Sequence, residues 1–306
     1  MSQRWTKLGL LYAPPAQALH TRLVSHAANP LPVLLDGDVY RVFYSGRDAQ
    51  NRSSVGAVDI DIVRRTVVQV HREPFFGFGA AGSFYENGVS IGCCYEADGR
   101  RYMLFMGWQQ PPGQHWRGEI GRLEVMPDLS LRLSEEQPLM GVDATDPWSL
   151  SYPWVWRSPS GDYRMWYGST ITWDAGFGEM VHVLNGARSR DGHRWERDGV
   201  AVPFQLGQSQ AFSRPTVATA SSGGLEMWFS YRGGVNKTYR IGHAVSADGE
   251  SWALRPDPQG LQIADEGWDS IMIEYPCVLD HQGERYMLYC GAGFGQTGFG
   301  LAVQSP

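Results

Sequence analysis

The sequence predicts an all-β fold, a five-bladed β-propeller, and three observations carry the prediction. Aromatic residues form 12% of the 306 positions, with 12 Trp, 14 Tyr and 12 Phe, a bias that suits pleated strands. Thirty-seven Gly and 18 Pro cut the chain into short segments, better matched to strands and tight turns than to helices. One pattern then recurs five times along the chain, with a period that suits the three or four strands of a propeller blade.

In each copy a Pro is followed, ten residues on, by an aromatic or apolar residue that opens an alternating strand. Pro30 leads to Tyr40, Pro153 to Tyr163, Pro215 to Leu225 and Pro276 to Tyr286. The remaining copy, ENGVSIGCCYEADGRRYMLFMG, reads with Gly88 in the proline place and four extra residues before Tyr102. The leading positions 30, 88, 153, 215 and 276 then lie 58, 65, 62 and 61 apart. A third strand follows in every copy, marked by Gly56, Gly121, Gly186, Gly242 and Gly300. Two copies add Ser-x-Asp-Gly-x-x-Trp, at Ser189–Trp195 and Ser246–Trp252; the Asp-Gly makes a turn and the Trp plugs between neighbouring sheets. The blades run over about 25–75, 82–140, 147–205, 209–262 and 268–306, all in one domain. The apolar segment Trp5–Tyr12 has no blade of its own and is expected to join the last one, closing the ring. A pair of β-sandwiches is the other architecture to weigh, but it gives no reason for five copies of one spacing.

Composition narrows the function. No run of 18 apolar residues is present to span a bilayer as a helix, and the first fifteen residues lack signal-peptide order. The net charge of −6 and the lack of a Lys/Arg block speak against nucleic acid as a partner. Cys93, Cys94, Cys277 and Cys290 form no metal-binding CxxC pattern, and a reducing cytoplasm is the expected compartment. No Walker, GxSxG or dinucleotide fingerprint occurs, and the His residues have no metal-ligand spacing, so no cofactor or metal is expected.

In a propeller the residues entering the innermost strands converge on one pocket. Here they are Ala28-Asn29, Glu86-Asn87, Ser151-Tyr152, Ser213-Arg214 and Glu274-Tyr275, a polar and charged ring on an apolar scaffold. The spacing, the Pro-led inner strands, the Tyr-x-Met-x-Tyr second strands and the Ser-x-Asp-Gly-x-x-Trp turns resemble the five-bladed glycosidase superfamily, which includes arabinanases, β-xylosidases, invertases, levansucrases and mannoside phosphorylases. The resemblance covers nearly the whole chain. It implies carboxylates at the channel ends of inner strands, acting around a glycosidic bond, one protonating the leaving oxygen while another attacks or activates. The chain departs from that pattern at Asn29-Pro30, where the superfamily has an Asp, and at Ser151-Tyr152 and Ser213-Arg214.

The candidate catalytic acids are therefore Glu86 and Glu274 in the ring, with Asp146 and Asp269 nearby in sequence. Arg47, Asp48 and Arg232 lie in loops that can overhang the mouth, and with Arg214 they offer guanidinium groups to an anion. Trp108, His115 and Trp173 supply aromatic faces for sugar stacking. His26, Asn29, Tyr152 and Glu179 complete the expected substrate-binding set. These residues point to a glycosidase-like enzyme for a small or terminal sugar, with anionic sugars and sugar phosphates among the candidates. The same pocket also admits a phosphorylase, a transferase or a non-catalytic carbohydrate-binding propeller.

Overall fold

A computed structural model describes residues 4–176, 179–221, 223–234, 237–255 and 261–305. Among the described residues the chain is all-β apart from one short turn of helix. Strand β1 (Arg4–Tyr12) precedes four antiparallel groups made of consecutive strands. The first contains β2 (Ser25–Asp36), β3 (Val39–Arg47), β4 (Ser53–Asp61) and β5 (Thr66–Val70). The second contains β6 (Gly88–Ala97), β7 (Arg100–Gln109), β8 (Arg117–Val125) and β9 (Leu131–Leu133). The third is β10 (Leu150–Arg157), β11 (Tyr163–Thr172), β12 (Val181–Ser189) and β13 (Glu196–Val200). The fourth is β14 (Ala211–Thr219), β15 (Leu225–Arg232), β16 (Arg240–Ser246) and β17 (Ala253–Arg255). The last group joins β18 (Glu274–His281), β19 (Glu284–Cys290) and β20 (Phe299–Ser305) to β1, with α1 (Ala292–Gly295) between β19 and β20.

Local chemistry sets these hairpins. Asp98-Gly99 and Gln282-Gly283 turn β6 into β7 and β18 into β19 with both central residues at positive φ, the backbone that matches strand twist in two-residue turns. Between second and third strands an aromatic ring lies over a glycine. A Cβ on Gly56 would stand 2.6 Å from the Tyr44 ring, and one on Gly121 2.3 Å from Phe105. Gly242 is crowded in the same way by Phe229. In the third group Tyr167 instead faces Asn185, while Gly186, opposite Trp166, would hold a Cβ in ordinary contact, no nearer than 3.7 Å to any neighbour.

The first strands of the groups pack on one another, β2 on β6, β6 on β10, β10 on β14, β14 on β18 and β18 on β2. Apolar clusters fill the spaces between the sheets. Trp252, from the second Ser-x-Asp-Gly-x-x-Trp segment, packs edge-on against Trp166 at 5.4 Å, in line with the expected plug. In both copies the Ser hydroxyl accepts the Gly N–H, at 2.9 Å for Ser189 and 2.8 Å for Ser246. β1 is held by Trp5 against Trp228 and by a 2.6 Å ion pair from Lys7 to Asp269.

Candidate functional site

Four of the five first strands carry a bulge beside their proline. Proline cannot donate to the ladder, so the register slips at Ala28/Leu31, Ser151/Trp154, Ser213/Thr216 and Glu274/Cys277. The residues before those prolines, Asn29, Tyr152, Arg214 and Tyr275, all take left-handed backbone, with φ of 55°, 38°, 46° and 54°. Such backbone costs a non-glycine residue about 1–3 kcal/mol, and four instances at matching places in the repeat mark it as a built feature.

The second group corrects the sequence reading. The Ile91 N–H donates to Ser45 of the preceding group, as the Tyr275 N–H does to Ser230. The Val155 N–H meets Cys93 as the Val278 N–H meets Thr216. Both matches place Gly92, not Gly88, where the other copies have proline. The register slip of this strand, between Ile91 and Cys94, spans the same place. Gly92 is ten residues before Tyr102, and positions 30, 92, 153, 215 and 276 are then 62, 61, 62 and 61 apart. The ring residues of this group are Ser90 and Ile91. Glu86 and Asn87 lie in the turn before β6, where Glu86 accepts the Gly82 N–H at 2.6 Å and Asn87 accepts that of Gln110. Glu86 is therefore not an inner-strand acid.

Arg214 also has a different task from the one expected. It is 1% exposed, and its Nη atoms donate to the carbonyls of Tyr275 (2.9 Å), Pro30 (2.9 Å), Asn29 (3.2 Å) and Gly92 (3.3 Å). A guanidinium from the fourth group thus ties together the first, second and fifth. With those donors spent, it is a stitch across the hub rather than an anion receptor.

Glu274 is the ring carboxyl. It is 0% exposed, and neither oxygen has a partner in hydrogen-bonding geometry. Burial raises its pKa well above the ordinary carboxylic range, partly offset by the Arg47 charge and the nearby Phe294 N–H. Arg47 acts on its neighbours too: burial and then that charge pull His26 down to about 4. Tyr152 and Tyr275 touch through their hydroxyls at 3.2 Å, and both phenols are raised, chiefly by burial, with Glu274 contributing. Tyr239, pushed up to about 12 by burial, feels both Arg232 and Glu274. Arg232 pairs with Glu179 at 2.7 Å. The structure so gathers Glu274, His26, Arg47, Tyr152, Arg232 and Glu179 from the expected set. It adds Tyr239, a residue of no repeated motif.

The third group contributes a polar trio at the same end. Ser151 and Thr170 bond the two ring nitrogens of His182 at 2.7 and 2.8 Å, and burial lowers that imidazole to about 3. Trp116 packs at 6.0 Å from His182 and edge-on to Trp173, which stacks on His115 at 4.6 Å. His115 and Trp173 therefore share an aromatic wall, although one face of Trp173 is already covered.

The other expected residues lie elsewhere. Asp146 is fully buried between sheets and accepts from Tyr167 (2.8 Å), Asn185 (2.7 Å), Ser169 and Arg197. Asp269, the matching residue of the fifth copy, accepts from Tyr289 at 3.0 Å and Lys7 at 2.6 Å. Both carboxylates are tied to the sheets by these donors. Asp48 caps its own loop, accepting the N–H groups of Gln50 and Arg52. Trp108 donates to Ser53 at 2.9 Å. The Asn29 amide nitrogen is buried without a partner. Among the described residues no three His, Cys, Asp or Glu side chains gather as metal ligands.

No family model matches the chain. It is 42% identical over 301 residues, 98% of both chains, to the uncharacterized protein Rv1502 of Mycobacterium tuberculosis (strain ATCC 25618 / H37Rv). The identity and coverage are the same for the uncharacterized protein MT1551 of strain CDC 1551 / Oshkosh. Among solved structures, one described as a glycoside hydrolase matches with a TM-score of 0.68 at 14% identity, over 98% of this chain and 91% of that one. The endo-arabinase of Bacteroides thetaiotaomicron matches at 0.64 and 15%, over 92% and 94%. A member of "the GH130 family of mannoside phosphorylases" matches at 0.68 and 10%, over 99% and 93%. The chain shares its β-propeller fold with these glycoside-processing proteins.

Proposed function

We propose that this chain, which belongs to the same family as the Mycobacterium tuberculosis proteins Rv1502 and MT1551, is a closed five-bladed propeller that cleaves a glycosidic bond at Glu274. Support for a ring of five blades in one domain comes from the cyclic packing of the five first strands and the pairing of β1 with β20. The observation that carries the chemistry is Glu274, a ring carboxyl without exposure or hydrogen-bond partner. Burial raises its pKa well above the ordinary carboxylic range and so favours the protonated state required to give a proton to a leaving oxygen. Glu179, held by Arg232 on the same side of the channel, is the carboxylate that fits the opposing role of base or nucleophile.

The substrate in this reading is a small or terminal sugar, with Arg47 as the cation facing any acidic group on it. Hydrolysis fits better than phosphorolysis, because Arg214 is spent on carbonyls and Arg232 on Glu179. The four free thiols, three of them buried, suit the reducing cytoplasm as its place of action. A binding-only propeller is the second reading, favoured by the saturation of Asp146 and Asp269, which leaves Glu274 the one uncommitted acid of the four expected.

A panel of aryl glycosides, with and without inorganic phosphate, tests both. Turnover by the wild type that drops at least 100-fold in Glu274→Gln supports the leading reading. Unchanged turnover in that variant removes Glu274 from the chemistry. Sugar binding by calorimetry without turnover of any glycoside establishes the second reading.

A further inference from the structure

Three buried side chains at the hub carry polar atoms that the protein leaves unpartnered: the Nδ2 of Asn29, the Nε of Arg214 and both carboxyl oxygens of Glu274. All three residues are at most 1% exposed. They come from the first, fourth and fifth groups, yet one guanidinium brings them together. Arg214 donates to the carbonyl of Asn29 itself and to that of Tyr275, the residue after Glu274. Leaving one such buried atom dry costs about 1–3 kcal/mol, and more for a charged group. Native interiors rarely leave several together without an occupant.

The unmatched atoms are complementary in kind. Asn29 and Arg214 offer N–H donors, while Glu274 offers acceptors and, when protonated, one O–H donor. They do not bond one another, since the Arg214 Nη atoms are committed to carbonyls and the Phe294 N–H approaches Glu274 without forming a hydrogen bond. A water molecule donates two hydrogen bonds and accepts two, and an internal water needs two to four polar partners. We propose that Asn29, Arg214 and Glu274 build an internal water site at the hub, with at least one ordered water bridging Glu274 to Asn29 or Arg214. That water gives the Glu274 carboxyl a partner with which to exchange its proton, although no atom of the residue reaches bulk solvent. The proposal stands whether or not the pocket cleaves sugars.

A crystal structure of the sugar-free protein, at a resolution that orders solvent, is expected to show a water within hydrogen-bonding distance of a Glu274 oxygen and of Asn29 Nδ2 or Arg214 Nε. A dry hub, or direct bonding of Glu274 to either donor, overturns the proposal. Thermal unfolding of Glu274→Met at pH 4, where holding the Glu274 proton costs the folded state little, supplies an independent sign. In a dry hub an apolar side chain of similar size relieves an unpaired carboxyl, and Tm rises. In a hydrated hub it strips the water of its acceptor, and Tm falls by about 2–4 °C. A rise therefore counts against the water site as directly as an empty density map.

Discussion

Replacing Arg214 with Met tests how much the hub depends on one cation. Met keeps an unbranched stem and removes four hydrogen bonds, two of 2.9 Å and two longer, at 3.2 and 3.3 Å. Bonds from a charged donor contribute about 1.5–3 kcal/mol each, the long pair less. Removing the guanidinium also relieves its desolvation, several kcal/mol for a buried ion. The carbonyls left behind are neutral, so the loss falls below that of an orphaned buried charge. A net destabilisation of about 2–4 kcal/mol follows. For a chain of this size that lowers Tm by about 3–6 °C. Thermal unfolding followed by circular dichroism reads it directly, and the difference is expected to persist at high salt, because a buried contact is poorly screened. A variant that melts with the wild type or above it refutes the account of Arg214 as a stitch.

Two further outcomes follow from named contacts. The folded state holds a proton on Glu274 where the unfolded chain releases it, so this residue subtracts stability as pH rises from its ordinary value of 4.5 toward its raised folded value. Glu274→Gln should thus differ little from wild type at pH 4 and gain in Tm toward pH 7; a gain that shrinks over that range contradicts the assignment. Gly56→Ala drives a methyl to 2.6 Å from the Tyr44 ring and should cost about 1–3 kcal/mol, whereas Gly186→Ala, with nothing nearer than 3.7 Å, should lie within about 0.5 kcal/mol of wild type. Urea titrations of the two variants compare them, and equal losses refute the ring-over-glycine packing.

Much of the scaffold is legible in the sequence because its causes are local. Proline at a fixed distance from an alternating strand reports a bulge, since the missing N–H must fall where the ladder is interrupted. The second copy misleads for the same reason: Gly92 replaces the proline, and Gly88 offers a decoy four residues earlier. Counting ten residues back from Tyr102 recovers the phase from sequence alone. The five marker glycines are less uniform than their spacing implies, since Asn185 rather than Gly186 faces the aromatic ring in the third group. The site is harder to read. Asp146 and Asp269 share one place in the repeat, which is visible, but their Tyr167 and Tyr289 hydroxyl partners are settled by how strands stack. Arg214 reads as an anion receptor because sequence does not reveal which carbonyls converge on it. Glu274 is found because a carboxyl next to a proline-led apolar strand has few places to go but inward.

The pairing of β1 with β20 also orders events during synthesis. β1 leaves the ribosome well before its partner, Phe299–Ser305, which follows only after residues 13–298 have been made. At about 5–20 residues per second that interval lasts roughly 15–60 s. Throughout it the nascent chain carries a strand whose N–H and C=O groups have no native ladder, next to the apolar surface of Trp5. The first four groups each have all their strands in one stretch of message and can assemble as they are made. The last waits until Phe299–Ser305 has been made, so the interval before β1 finds β20 is the one during which a nascent chain is most open to pairing with another copy of itself.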